Sequence, residues 1–282
     1  MNRKTCIIIS GPTAVGKTAN AIKLALQYNT KIISADSRQC FKELNIGVAK
    51  PSSAQLEKVQ HYFINSHSIH EEVNAKIFEE YALKSIAEIF ENNDIAVMVG
   101  GTGLYIKAFT EGLDEIPFID ENIRKELKEK YDLKGFPWLL EEIKEHDPVY
   151  YTYGEIQNPQ RILRALEVKR STGKSIVELR SGQKIKRDFD IKNIFMDVPR
   201  EQLYQNINRR VDEMMEEGLL KEAEDLFPYR TLNALQTVGY KELFDYLEGK
   251  ISLAAAIEEI KKNTRHYAKR QLTWFKKNIA VF

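Results

Sequence analysis

"SGPTAVGKT" (Ser10–Thr18) follows the apolar run Cys6, Ile7, Ile8, Ile9 and precedes Thr18–Tyr28, where apolar residues recur at helical spacing. Gly11 to Thr18 fits G-x-x-x-x-G-K-[ST]. In that pattern the glycines let the backbone curl with its amide hydrogens inward, the lysine meets outer phosphate oxygens, and the hydroxyl can ligate Mg2+. Gly11, Pro12, Thr13, Ala14, Val15, Gly16, Lys17 and Thr18 are therefore the expected phosphate cradle, with Thr18 as the expected metal ligand. A helix starting at the loop adds partial positive charge from its N-terminus. The chain thus opens as strand, loop, helix, and the motif leaves open whose phosphate it holds.

Two further apolar runs end in polar residues: "KIISADS" (Lys31–Ser37) and "DIAVMVGGTG" (Asp94–Gly103), the second after an amphipathic stretch, Ile77–Phe90. Buried runs alternating with helical patterns predict an α/β protein with a doubly wound parallel sheet. Ligands on such sheets gather at the carboxyl ends of the strands, so Thr13–Thr18, Asp36–Gln39 and Gly100–Gly103 should share one crevice. After Leu113 the texture changes to charged helical patterns broken by Gly135, Pro137, Pro148 and Pro159, then a basic helix around Arg161–Arg170. "FDIKNIFMDV" (Phe189–Val198) restores a buried-strand pattern, and Gln202–Leu226 and Ile251–Lys277 read as long helices. The expected organisation is a P-loop α/β core over 1–112 and 188–282, interrupted by a mostly helical insertion over 113–187 and closed by C-terminal helices.

The formal charge is +1, from 42 Lys plus Arg against 41 Asp plus Glu, so the overall balance does not indicate nucleic acid. The distribution is more informative: Gln160–Arg187 holds nine bases against two acids, and Lys261–Lys277 holds seven bases and no acid. Either run alone can be a solvated face; together they favour a polyanionic partner. Cys6 and Cys40 are expected to be reduced structural thiols. No apolar run approaches the roughly 20 residues that span a bilayer, and no cleavable leader pattern is present, so a cytoplasmic location without membrane association is expected.

A hydrolytic NTPase adds a carboxylate on a second apolar strand to hold Mg2+, yet the third run ends in Gly100, Gly101 and Thr102. Asp36 and Asp197 each follow apolar residues and compete for that position. The sequence supports binding a phosphate or diphosphate better than hydrolysing one. Asp36 either caps a turn with Ser37 or, at a strand end beside the phosphate loop, acts as a base toward an acceptor. His61, His67, His70, His146 and His266 lack metal-ligand spacing, and no nucleophilic triad is legible.

Taken together, "GPTAVGKT", "ISADSRQCFKELNIGVAKP", "GGTGLYIKAFTEGL", "NPQRILRALEV", "TVGYKEL" and "TRHYAKRQLTWF" resemble the tRNA dimethylallyltransferase family, in the family's order and from about Ile7 to Phe275. The resemblance implies transfer of a dimethylallyl group from its diphosphate to N6 of the adenine beside the anticodon of a tRNA, on its 3′ side, with Mg2+ and without ATP. It implies Asp36 as general base, and Thr102 and Arg210 as further catalytic positions, Arg209 being the adjacent alternative. On the same basis Asp36, Ser37, Arg38, Gln39, Thr102, Arg124, Gln160, Arg161, Ile162, Leu163 and Arg164 are expected to meet the tRNA anticodon stem-loop. Tyr267, Trp274 and Phe275 are expected in the core, and the protein is expected to be monomeric. Glu43 and Val48 stand where the resemblance leads one to expect Gly and Thr, and "EIQNPQ" (Glu155–Gln160) lacks the usual lead-in to the QR pair. Competing readings are a nucleotide or small-molecule kinase, an RNA-binding protein with a vestigial loop, and a prenyltransferase acting on free adenine nucleotides.

Overall fold

The computed structural model describes residues 3–114, 116, 117 and 119–278. They form two compact units, Met1–Gly112 with Lys186–Phe282, and Leu113–Ile185.

The first unit is built on a parallel sheet of β1 (Thr5–Ser10), β2 (Ile32–Ala35), β3 (His61–Tyr62), β4 (Ile95–Gly100) and β5 (Asp190–Phe195), in the order β3-β2-β4-β1-β5. Side chains of a strand alternate between faces, and the central strands divide accordingly. Cys6, Ile8, Ile33, Ala96 and Met98 enter one core, and Ile9, Ile32, Val97 and Val99 enter another. Helix α1 (Lys17–Gln27) covers the second face with Ala21, Ile22 and Ala25. Before the insertion follow α2 (Ser53–Lys58), α3 (Ala75–Asn92) and α4 (Gly103–Glu111). The second unit holds α5 (Glu121–His146), α6 (Pro148–Tyr153), α7 (Pro159–Thr172) and α8 (Ile176–Leu179). The chain then closes the first unit with α9 (Arg200–Glu216), α10 (Leu219–Leu226), α11 (Tyr240–Leu247) and α12 (Leu253–Asn278). The larger core draws on α3, α4, α10, α11 and α12, through residues such as Phe78, Phe109, Leu219, Leu243 and Phe275.

Register places the site. Ser10 pairs with Gly100, and Gly100 with Ala35. The three strands therefore end side by side, so the phosphate loop, Asp36 and Thr102 emerge as neighbours.

Several boundaries differ from expectation. The inserted unit ends at Ile185 rather than Arg187. Arg187 looks from sequence like the last of a basic run, but it belongs to the core. Its Nη2 meets Glu79 at 2.7 Å, and its guanidinium also donates to the carbonyls of Ala108 (2.9 Å) and Phe109 (2.8 Å). A cation at the carboxyl end of α4 satisfies carbonyls that the helix leaves open, and Glu79, only 2% exposed, receives its counter-charge. Strand β5 is a half-exposed edge rather than a buried strand, since it pairs with β1 alone and Ile194 is exposed. Gln202–Leu226 is two helices, divided where Gly218 takes φ 104°. Pro148 and Pro159 start helices instead of breaking them: each occupies the first turn, behind the caps Asp147 and Asn158.

Candidate active site

The phosphate loop leaves β1 at Gly11, whose φ of 147° and position against the Met196 carbonyl exclude a side chain: a Cβ there would lie 2.3 Å from that oxygen. Ala14 (φ 62°) and Gly16 (φ 87°) take left-handed conformations, of the kind that turn successive amides into one hollow. The strained Ala14 is tied down by Asn206, whose Nδ2 donates to its carbonyl at 3.2 Å. Lys17 folds back over the loop, its Nζ donating to the Pro12 carbonyl at 2.6 Å. Burial pulls this ammonium down to about 8, opposed by the charge of Asp36 and reinforced by Arg210. Thr18 follows at the start of α1 and lines the same cleft, which has a volume of about 930 Å³.

Asp36 leaves β2 facing that cleft. Its Oδ1 accepts from the amides of Arg38 (2.9 Å) and Gln39 (3.2 Å). The turn-capping role is therefore real, and one carboxylate oxygen performs it; capping and basic catalysis are compatible in one side chain. Thr102 Oγ1 accepts from the Ser37 amide (3.1 Å), and its own amide donates to the Ala35 carbonyl (3.2 Å). The "DSRQ" turn and the "GGTG" turn are thus joined directly.

Arg210, on α9, reaches the loop: its Nη1 donates to Thr13 Oγ1 at 3.1 Å. Burial lowers its guanidinium, against the charges of Glu213 and Asp36. Arg209 points elsewhere, with Glu213 at 3.6 Å and a largely exposed side chain. Geometry therefore selects Arg210 of the two. Gln39 lines the cleft but holds structure with its amide: Oε1 accepts from Ser34, and Nε2 donates to the carbonyls of Val48 and Ala49. Arg38 donates to the Asn233 carbonyl at 2.9 Å. Asp197, the rival carboxylate, is exposed beyond β5 and accepts from the Val198 amide.

A family model described as IPP transferase matches residues 39–278. The chain belongs to the IPP transferase family. It is 48% identical over 281 residues to a tRNA dimethylallyltransferase of Flavobacterium johnsoniae, covering 98% of this chain and 91% of the relative. A crystal structure of the full-length tRNA isopentenylpyrophosphate transferase of Bacillus halodurans is 36% identical, with a TM-score of 0.69 over 98% of this chain and 88% of that one. A eukaryotic dimethylallyltransferase, solved in crystallographic snapshots of its action on tRNA, is 29% identical with a TM-score of 0.80, over 96% of this chain and 70% of that one.

For an IPP transferase, the residues expected on the RNA side divide sharply. On α7, Gln160 and Arg161 are exposed and Arg164 is half-buried, whereas Ile162 and Leu163 lie in the core of the inserted unit. The side chains of Ile162 and Leu163 are buried, as an amphipathic helix buries one face while the other stays wet. Asn158 caps α7 by accepting from the amides of Gln160 (3.0 Å) and Arg161 (3.4 Å), which supplies the start that "EIQNPQ" lacks by motif. Arg124, on α5, joins Arg164 around one carboxylate, with Glu167 3.6 Å and 3.1 Å away respectively. The basic runs are less basic than counting suggests. Arg161 meets Glu155, Arg170 meets Glu126, and in the last helix Lys261 meets Asp212 and Lys262 meets Glu259.

Three contributors escape a sequence reading. Tyr267, expected in the core with Phe275, instead lines the cleft within reach of the Thr102 side chain; burial first, and then the charge of Asp36, raises its phenol above the ordinary value. Gln271 bridges the phosphate loop and the "GGTG" turn. Glu222, on α10, accepts from the amides of Ile46 (2.8 Å) and Gly47 (3.0 Å) and from the Tyr240 hydroxyl (2.5 Å), holding the "NIGVAK" wall of the cleft. Glu43, where glycine was expected, accepts from Ser68 Oγ (2.6 Å) and the Ile69 amide (3.0 Å). It fastens its own loop.

Proposed function

We propose that this chain is a tRNA-modifying prenyltransferase, which transfers the dimethylallyl group of dimethylallyl diphosphate to N6 of the adenine 3′-adjacent to the anticodon and releases diphosphate. The observation that carries the reading is the emergence of Asp36 beside Lys17, at the ends of the two strands that flank β4, in a member of the IPP transferase family. No descriptor of a hydrolase is needed to explain a phosphate loop whose ligand departs as the leaving group.

The exocyclic amine of adenine is a weak nucleophile because its lone pair is delocalised into the ring. Asp36 accepts its proton as the N–C bond forms and the C–O bond to diphosphate breaks. Charge grows on the departing diphosphate, where the loop amides, Lys17 and Arg210 meet it. Bound Mg2+ would neutralise part of that charge, held by Thr18. The residues fit such an ion: Thr18, whose hydroxyl can ligate Mg2+, lines the cleft next to Lys17.

The acceptor must leave the stack of its loop, at a cost of a few kcal/mol that is least in single-stranded RNA. Asp36, Ser37, Arg38 and Thr102 form the acceptor side of the core. In the inserted unit Gln160, Arg161, Arg164 and Arg124 hold the anticodon stem-loop. Among the described residues no helix is long and apolar enough to cross a membrane. The reading places a monomer in the cytoplasm, with its tRNA.

Purified protein with Mg2+ and radiolabelled dimethylallyl diphosphate is expected to label unmodified tRNA that carries adenine 3′ to the anticodon. Label on AMP alone, or ATP-dependent phosphorylation without prenyl transfer, defeats the proposal and favours the nucleotide-prenylating or kinase reading.

A further inference from the structure

Gln271 is 6% exposed on α12, and both ends of its amide are engaged by loops from different strands. Oε1 accepts from the Thr13 amide at 2.9 Å, and Nε2 donates to the Gly101 carbonyl at 2.9 Å. The fit leaves no slack: a Cβ on Gly101 would lie 2.3 Å from Nε2. On one side, Thr13 also receives Arg210 on its hydroxyl. On the other, Gly101 leads into Thr102, which binds Ser37 next to Asp36. The amide is thus the middle of a continuous run from the diphosphate cradle to the acceptor base.

We infer that Gln271 is a positioning residue for the transfer: it sets the separation and orientation of the leaving-group side against the acceptor side. The inference rests on the prenyl-transfer reading. It follows from the chemistry of the side chain, since a primary amide presents an acceptor and a donor together, and neither a carboxylate nor a thioether does both. Displacement of in-line partners makes strict demands on geometry, and a misplacement of about 1 Å can cost on the order of 100-fold in rate. A residue that merely filled space between α12 and the sheet would tolerate methionine, which has similar length and flexibility.

The test is single-turnover prenyl transfer at saturating donor and RNA, at a temperature where each variant is folded by circular dichroism. Gln271→Met and Gln271→Glu are expected to lower the transfer rate roughly 10- to 100-fold, while the dissociation constant for tRNA stays within about threefold of the parent. Gly101→Ala is expected to be deleterious in the parent and less so beside Gln271→Ala, because removing the amide makes room for the methyl group. Strictly additive penalties overturn the inference. So does a wild-type rate for Gln271→Met, or a loss confined to RNA affinity. A parent protein that transfers no prenyl group defeats the underlying reading and this inference with it; an active parent with an indifferent Gln271→Met defeats the inference alone.

Discussion

The two walls of the cleft are built in opposite ways. The diphosphate wall is one continuous segment, Gly11–Thr18, shaped by left-handed residues and a helix start, so its design is written in eight neighbouring residues. The acceptor wall is assembled from Asp36, Thr102, Tyr267 and Gln271, brought from two strand ends and one late helix. Local rules of backbone and charge suffice for the first wall. The second depends on register, since without Ser10, Ala35 and Gly100 in line its members do not meet. Binding and chemistry should therefore separate by mutation: the first wall grips, and the second places the acceptor and takes its proton.

The strongest test of that separation is Asp36→Asn. Asparagine keeps an oxygen for the amides of Arg38 and Gln39, so the turn survives, while the proton acceptor is lost. Turnover is expected to fall on the order of 100- to 10,000-fold with tRNA affinity retained, as measured by single-turnover transfer and by filter binding. Loss of both in parallel would mean that Asp36 serves only the turn. On the opposite wall, Lys17→Ala is expected to lower kcat/KM for the donor roughly 100- to 1,000-fold.

Lys17 also carries a pH signature. Its ammonium loses its proton in the unliganded protein near pH 8, because burial disfavours the charged form. Below that pH it meets the diphosphate already charged. Above it, binding requires proton uptake, so kcat/KM for the donor is expected to fall toward tenfold per pH unit. Lys17→Arg should remove this alkaline limb, since a guanidinium stays protonated. A limb that persists in the Arg variant would assign it to another group.

How much of this was readable from sequence follows the same division. Runs such as Thr5–Ser10 and Ile95–Gly100 are buried on both faces and announce themselves as apolar stretches. β3 is two residues long and carries no decisive pattern, whereas β5 was legible as a strand but not as a half-wet edge. Arg187 looked like free positive charge because its acid, Glu79, lies 108 residues earlier and is invisible to a count along a window, whereas Glu167 was counted beside Arg164 but only the fold shows that the two pair. Tyr267 and Phe275 sit on the same helix and look alike in sequence; only packing sends one to the cleft and the other to the core. Gln271 offers no signal at all, since a glutamine in a basic helix reads as solvent-facing.

Glu222 tests the acceptor wall's dependence on long-range support with a smaller effect. Glu222→Gln leaves one oxygen to serve the amides of Asn45, Ile46 and Gly47 and a phenol. Unfolding free energy by urea titration is expected to drop by about 1–2 kcal/mol, and the "NIGVAK" wall to loosen without loss of the phosphate loop. KM for the donor should therefore change less than the transfer rate at saturation. An equal shift in both would place the loop among the donor contacts.

The smallest expected effects lie in the inserted unit, where charge is shared instead of concentrated. Arg124 and Arg164 converge on Glu167, whose side chain is 11% exposed, so each guanidinium has part of its charge already answered. Arg164→Ala is expected to weaken tRNA binding several-fold and to flatten the dependence of log affinity on log salt by about 0.7–0.9, the value of one phosphate contact. Arg124→Ala should do the same only if it too meets a phosphate; an unchanged slope would make its work the holding of Glu167. Glu167→Gln moves the balance the other way. With the carboxylate's charge removed, the pair presents more positive potential, and both affinity and salt dependence should increase in titrations between low and moderate salt. A fall in affinity would show that Glu167 orients the two arginines, so that their geometry, and not their net charge, is what the RNA reads.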